Sequence, residues 1–259
     1  KVYAEKGITE ATNTSALTAT DYPTLQDLYE LIGKDQKKDP YLFDTVRDFY
    51  TTLKTYVTGM YSELFNGHTN INIDNDLVCY DLKEMSNNEK IQRILFYNIL
   101  SHTTYEIMSG DRGPSEIFID EAHVIADPKV PRAMEFIYFM MKVLRSFNCG
   151  ITTASQSVED FLSARDDNRN YGKAIITQSV QRLYLPMSEE ELKYLEEELG
   201  NTFSKGERET LILKDGKKKE QAGKGIFYTG SKKIKLEVQL NEVTEMLWFD
   251  QKSINDITI

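Results

Sequence analysis

The stretch Glu116-Ile117-Phe118-Ile119-Asp120-Glu121-Ala122-His123 decides the fold of this protein, because an apolar run ends there in two adjacent carboxylates. A short apolar run between polar residues is typical of a buried strand in a parallel sheet. In nucleotide hydrolases, one carboxylate at such a strand end holds the Mg²⁺ shell and the next polarises the attacking water. We therefore predict that Asp120 and Glu121 belong to a site, with a helix-capping pair as the plain alternative.

Apolar runs and helical patterns alternate on both sides of this stretch. They predict a strand over 77–80, a helix over 88–108, the strand 117–119, a helix over 131–147 and a strand over 149–154. Such alternation predicts parallel βαβ units with right-handed crossovers. The predicted fold class is α/β, a mostly parallel sheet flanked by helices, whose chemistry collects beyond the carboxyl ends of the strands.

The chain outside these units divides into three predicted parts. Residues 1–22 are a polar lead-in segment, and residues 23–67 form a small helical unit, with one helix stopping at Gly33 and another over 41–64. Residues 68–259 form the α/β core. Its remaining elements are predicted as a short strand or helix at 173–177, a strand at 181–185, an acidic helix at 189–199 and strands at 210–213, 225–228 and 233–239.

Further candidate residues come one βα unit after the acidic pair. Gln156, in the run Ser155-Gln156-Ser157, can touch both a γ-phosphate and the attacking water, although such a run is also a common helix N-cap. Arg145 closes the preceding helix, where it either complements the helix dipole or acts as an arginine finger on a neighbouring subunit's nucleotide. Arg165, Arg169 and Arg182 are weaker candidates for phosphate or interface contacts.

Composition narrows the classes of function. The 259 residues carry a net charge of −10, which argues against a surface broadly wrapped in nucleic acid. No apolar run reaches the ~20 residues that span a bilayer, so we expect membrane contact through partners only. The histidines lack metal-ligand spacing. Cys79 and Cys149 lie in apolar runs without a secretory signal, which predicts buried thiols in a reducing, cytosolic setting.

In combination and order, four segments resemble the TraC-like conjugative-transfer ATPases. These are the largest ATPases of type IV secretion systems and conjugative transposons, within the FtsK/HerA superfamily of RecA-like motors. The similarity extends from about Pro23 to the end of the chain. The segments are Phe65-Asn66-Gly67-His68-Thr69, Val78-Cys79-Tyr80-Asp81-Leu82-Lys83-Glu84, Ile117-Phe118-Ile119-Asp120-Glu121-Ala122-His123 and Thr153-Ala154-Ser155-Gln156-Ser157-Val158-Glu159-Asp160-Phe161.

The resemblance implies a role for each candidate residue. Asp120 and Glu121 become the Walker B pair, with Asp120 as the Mg²⁺ ligand, Gln156 becomes the sensor glutamine, and Arg145 resembles the arginine finger. Asp120, Glu121 and Gln156 would bind ATP. The resemblance also implies a RecA-like core in which residues 23–67 are an all-α insertion. It further implies a ring, expected to be a hexamer, with other channel subunits as partners and a cytoplasmic position at the inner face of the bacterial membrane. It leaves DNA contact open.

One departure from the family is large. The family carries a phosphate-binding loop, G-x-x-x-x-G-K-[ST], whose backbone N–H groups and Lys cradle the phosphates. No Gly-Lys pair of this chain is followed by Ser or Thr. The four triplets are Gly33-Lys34-Asp35, Gly172-Lys173-Ala174, Gly216-Lys217-Lys218 and Gly223-Lys224-Gly225. We therefore expect the loop to lie before Lys1 in the parent protein, and this chain alone to bind ATP weakly or not at all.

Three alternatives stay open. Residues 120–123 spell the Asp-Glu-Ala-His of DEAH-box helicases, but the next strand ends in Ala154-Ser155-Gln156 rather than Ser-Ala-Thr, and Gln181-Arg182 is followed by Leu183. A DNA-pumping coupling protein of the same superfamily is the second alternative. The third is a non-catalytic scaffold that kept the fold, which fold alone does not exclude.

Overall fold

The computed structural model describes residues 1–70, 75–85, 87–109, 113–126, 132–165, 167, 169–200, 202–214, 216 and 218–249. The chain divides into two units, Lys1–Tyr80 and Asp81–Ile259. The predicted α/β class is confirmed: helices accompany one parallel strand pair and, in addition, a three-stranded antiparallel sheet. None of the described helices is long and apolar enough to cross a membrane.

The first unit is built from helices in its described part. Capping defines where its long helices begin: Thr24 and Asp27 form a capping box, and the Asp39 carboxylate accepts a hydrogen bond from the amide of Leu42. The buried side chains include Leu31, Phe43, Leu53 and Val57. The helices, in chain order, are α1 (Val2–Glu5), α2 (Leu25–Lys38), α3 (Pro40–Val57) and α4 (Ser62–Phe65).

Two predicted helix ends in this unit are wrong. Helix α2 continues past Gly33 to Lys38. A Cβ at Gly33 would lie 3.1 Å from the Tyr50 hydroxyl, so this glycine makes room for close packing on α3 rather than stopping α2. The helix predicted over 41–64 ends at Val57, where the amides of Thr58 and Gly59 both donate to the carbonyl of Lys54.

The second unit contains a parallel strand pair and an antiparallel sheet. Strand β1 pairs with β2 in parallel, from Ser115 opposite Cys149 to Ile119 opposite Thr153, and the antiparallel sheet has the order β3-β4-β5. Its elements, in chain order, are α5 (Glu89–Met108), β1 (Ser115–Ile119), α6 (Arg132–Val143), β2 (Cys149–Thr153), α7 (Val158–Ser163), α8 (Tyr171–Gln178), β3 (Gln181–Tyr184), α9 (Glu189–Leu199), α10 (Lys205–Leu211), α11 (Lys218–Gln221), β4 (Lys224–Thr229), β5 (Lys232–Glu237) and α12 (Glu242–Phe249).

One face of α6 is the centre of the larger core of this unit. Met134, Ile137, Met140 and the following Leu144 are fully buried at helical spacing, and they belong to one cluster with Ile119 of β1. Helix α6 lies between β1 and β2 in the chain, as the crossover of a βαβ unit does. Ile117 of β1 and Ile151 of β2 also pack against this cluster, so the core holds both strands of the parallel pair.

Two predicted strands are wrong. Residues 77–80 are not a strand, and Leu77 is 88% exposed, so the apolar run there is not buried. Residues 210–211 end helix α10 instead of starting a strand. The reason is local: Ser204 and Glu207 form a capping box that starts α10, and the helix then runs to Leu211.

The two cysteines have different surroundings. Cys149 is buried at the start of β2, and burial, together with the nearby Glu116 carboxylate, raises the pKa of its thiol. Cys79 is exposed, so the prediction that it is a buried thiol is wrong. Its apolar neighbours in the sequence did not bring it into a core, because the run 77–80 has no sheet to join in the described part of the chain.

Candidate active site

The carboxyl ends of β1 and β2 meet at one edge of the parallel pair. Beyond the last strand pair, the amide of Ala154 donates to the carbonyl of Ile119, and the amide of Ala122 donates to the carbonyl of Ala154, each at 2.8 Å. These hydrogen bonds tie the turn after β1 to the loop after β2. The segments that carry Asp120, Glu121 and Gln156 are therefore held side by side.

Glu121 has an unusual backbone at this edge. Its φ of 50° and ψ of 42° place it in the left-handed region, which costs a residue with a side chain about 1–2 kcal/mol. Such strain persists where the surroundings hold it in place, often at functional sites. Here the two hydrogen bonds of Ala154, to Ile119 and to Ala122, hold the chain on either side of Glu121.

The side chain of Glu121 lies between two polar side chains. Nε2 of Gln156 donates a hydrogen bond to Oε1 of Glu121. The other oxygen, Oε2, lies 3.2 Å from Nδ1 of His123. The structure thus brings together two residues that the sequence placed in the site, Glu121 and Gln156, and adds a third, His123. The position of His123 two residues after Glu121, in a short turn, is the only sequence signal that could have singled it out.

Asp120 lies on the exposed side of the same turn. Its Oδ1 accepts a hydrogen bond of 2.9 Å from the amide of Glu121. Within the described residues, no three His, Cys, Asp or Glu side chains are grouped to hold a metal ion. Mg²⁺ usually needs only one or two protein carboxylates, with phosphates and water completing its shell. An exposed carboxylate at a strand end fits that demand, so Asp120 is the residue here that could hold Mg²⁺.

Arg145 is not part of this cluster. It lies in the 3-10 turn Leu144–Phe147 that precedes β2, and the amide of Ser115, which begins β1, donates to the carbonyl of Asn148 just after that turn. Arg145 is therefore at the amino edge of the strand pair, while Glu121 is at the carboxyl edge. A strand of five residues is about 16 Å long. Arg145 is exposed and forms no ion pair with any other described residue.

The three weaker arginine candidates lie elsewhere. Arg169 donates to the Tyr138 hydroxyl, and its guanidinium lies 4.7 Å from the centre of that ring. Arg182 lies 5.0 Å from the centre of the Tyr228 ring. Arg165 is exposed and forms an isolated β-bridge with Asn170. Cation–π packing accounts for the positions of Arg169 and Arg182 without a ligand.

The arrangement suits activation of a water molecule. An ionised carboxylate offers about four acceptor positions. Gln156 uses one position on Oε1, and His123 faces Oε2, so the Glu121 carboxylate keeps acceptor positions for a water hydrogen. A strand-end carboxylate next to a second, exposed carboxylate can serve phosphoryl transfer to water, one by holding Mg²⁺ and the other by orienting the water.

Fold and site together are those of an α/β domain that carries an acidic pair after one strand of a parallel pair and a glutamine after the other. The TraG P-loop domain family matches residues 2–249, and the chain belongs to that family. The resemblance to conjugative-transfer ATPases that the sequence motifs indicated is thereby confirmed.

One solved structure extends the comparison. The chain is similar to VirB4 of Thermoanaerobacter pseudethanolicus, with a TM-score of 0.79 and 26% sequence identity over 93% of this chain. This chain spans 62% of the length of that VirB4 chain. No curated protein matches it significantly.

Proposed function

We propose that this chain is the ATP-hydrolysing motor domain of a conjugation or type IV secretion system, where it powers channel assembly or substrate transfer. One observation carries the proposal: the Glu121 carboxylate and the Gln156 amide are hydrogen-bonded at the carboxyl edge of a parallel strand pair. Membership of the TraG P-loop domain family and the similarity to VirB4 support it.

Each residue of the cluster has a separate task in this proposal. Glu121 accepts a hydrogen bond from the attacking water and so directs the lone pair of the water at the phosphorus atom. Gln156 holds the Glu121 carboxylate and faces the same water, so it registers whether a phosphate is still attached. Asp120 holds Mg²⁺, which when bound with ATP would neutralise charge developing on the phosphates.

The phosphates themselves need a further element. A run of backbone N–H groups and a lysine must cradle them, and none of the Gly-Lys pairs in these 259 residues has the hydroxyl residue that this loop requires. We propose that a segment of the parent protein before Lys1 supplies the loop. Hydrolysis is then a property of the parent protein, and the chain alone is inactive.

Arg145 acts between subunits in this proposal. Its position at the amino edge of the strand pair separates it from Glu121 of the same chain. An arginine finger supplied by a neighbour stabilises charge on the transferred phosphoryl group. We propose a ring, most simply a hexamer, assembled with other channel subunits on the cytoplasmic face of the membrane.

The test measures ATP hydrolysis by the full-length parent protein and by its Glu121→Gln variant. Glu197→Gln is the matched control, because Glu197 is an exposed residue on α9 with the same change of charge. We expect Glu121→Gln to lower kcat at least ~100-fold and Glu197→Gln to leave it unchanged. Equal rates for all three proteins would refute the proposal. Hydrolysis that depends on DNA and is accompanied by strand separation would favour the helicase alternative.

A further inference from the structure

His123 faces the oxygen of Glu121 that Gln156 does not hold. Nδ1 of His123 and Oε2 of Glu121 lie 3.2 Å apart. Both atoms are shielded from solvent, and neither has a completed hydrogen bond within the described residues. Their separation suits a hydrogen bond, and only the alignment falls short. Catalytic hydrogen bonds are often misaligned before substrate binds and tighten in the substrate complex.

The turn that carries His123 is firmly anchored. Ala122 and Ile125, on either side of His123 in the 3-10 turn Ala122–Ile125, are fully buried. The carbonyl of Val124 accepts a hydrogen bond of 3.2 Å from Nε of Arg93 on α5. The backbone of His123 therefore cannot move away from Glu121 unless a buried turn shifts with it.

We propose that His123 is a positioning residue for the catalytic carboxylate, a role that rests on the proposed hydrolysis by Glu121. The imidazole, with a hydrogen on Nδ1, donates to Oε2 of Glu121 while Gln156 donates to Oε1. Two donors from two segments of the chain then fix the plane of the carboxylate. Glu121 is then held in one orientation for the water that attacks.

A positioning role differs measurably from simple packing. Misplacing a catalytic group by about 1 Å costs about 100-fold in rate without weakening the binding of substrate. Loss of the His123 donor should therefore lower kcat and leave the KM for ATP unchanged. An asparagine at this position restores an N–H donor close to where Nδ1 lies, whereas a leucine fills similar space without one.

The experiment measures kcat and KM for ATP with the full-length parent protein and its His123→Leu and His123→Asn variants. His68→Leu is the control, because His68 is exposed in the first unit. Glu121→Gln is included to test hydrolysis itself. We expect His123→Leu to lower kcat about 10- to 100-fold at unchanged KM, and His123→Asn to recover most of the rate.

Two results would overturn the positioning role: a wild-type kcat in His123→Leu, or equal losses in His123→Leu and His123→Asn. Equal losses would mean that His123 matters for packing and not for its donor. If Glu121→Gln keeps the wild-type rate, the proposed function itself fails, whatever the rates of the His123 variants. Thermal melting of each variant identifies any loss of rate that comes from unfolding.

Discussion

Gln156 donates a hydrogen bond to Oε1 of Glu121 across 35 positions of the sequence. The contact joins the loop after β2 to the turn after β1, and it involves the two side chains best suited to handle a water molecule at that edge. It is the structural relationship on which the proposed hydrolysis depends. The helix that follows is capped by Ser157, whose hydroxyl accepts from the amide of Asp160, so the contact of Gln156 with Glu121 can be tested apart from capping.

Replacing Gln156 tests this contact directly. Gln156→Glu puts a second carboxylate against Glu121, where like charges repel and turn the catalytic carboxylate away. We expect kcat of the full-length parent protein to fall about 10- to 100-fold, and more than in Gln156→Ala. The control is Gln239→Glu, an exposed position with the same charge change. If Gln156 has no part in hydrolysis, steady-state ATPase assays will find equal rates in Gln156→Glu and the control.

Arg145 and Glu121 lie at opposite edges of the strand pair, so one chain cannot bring both to one nucleotide. If neighbouring subunits share each site, mixing Arg145→Ala and Glu121→Gln proteins should restore hydrolysis that neither has alone, to roughly a quarter of the wild-type rate for random pairing at a two-subunit interface. The measurement is ATPase activity across mixing ratios. Arg132→Ala, on the exposed start of α6, is the control. If the rate at every mixing ratio is only the sum of the rates of the two separate proteins, neighbouring subunits do not share a site.

The core around α6 predicts a sharp contrast between two adjacent residues. Met140 is fully buried in the core cluster, and Phe139 beside it is 45% exposed. Met140→Ala should lower the free energy of unfolding by about 2–5 kcal/mol, because it leaves a cavity. Phe139→Ala should cost less than about 1.5 kcal/mol, since much of its ring already contacts water. Urea denaturation of the 259-residue chain measures both, and similar losses in the two variants would place the core elsewhere.

Glu207 should make stability depend on pH. The amide of Ser204 donates to Oε2 of Glu207 at 2.7 Å, and Nζ of Lys233 lies 3.4 Å from the same oxygen. The backbone hydrogen bond from Ser204, followed by the side chains of Ser204 and Lys233, lowers the pKa of Glu207 below its ordinary value of 4.5. A carboxyl group whose pKa is lower in the folded state than in the unfolded state stabilises the folded protein, and this contribution is complete at pH values above the unfolded-state pKa. That contribution disappears as the pH falls from 4.5 through the folded-state value.

The variant Glu207→Gln therefore should lower the free energy of unfolding by about 1 kcal/mol at neutral pH, and by less at about pH 3. Urea titrations of the 259-residue chain at both pH values measure the difference. Glu197→Gln, on the exposed side of α9, should change stability at neither pH. If Glu207→Gln lowers the free energy of unfolding by as much at pH 3 as at pH 7, the charge of Glu207 does not contribute to stability.

Some elements could be predicted because their signals are local. The strand 117–119 and the helix over 189–199 follow from an apolar run and from helical periodicity with a capping box at Ser188. The run 77–80 carries the same apolar signal as a strand, yet it is exposed. Burial depends on partners elsewhere in the chain, and a run of four residues says nothing about whether those partners are present.

The sequence by itself determined the α/β class and the acidic pair at a strand end, because strand, helix and cap signals act within a few residues. It also pointed to Gln156 at the end of the neighbouring strand. Only the tertiary structure decided that Gln156 holds Glu121, that His123 faces its other oxygen, and that Arg145 lies at the far edge. Those relationships depend on the pairing of β1 with β2, on the left-handed backbone at Glu121 and on the burial of Ala122 and Ile125. Residues far apart in the chain create these features together.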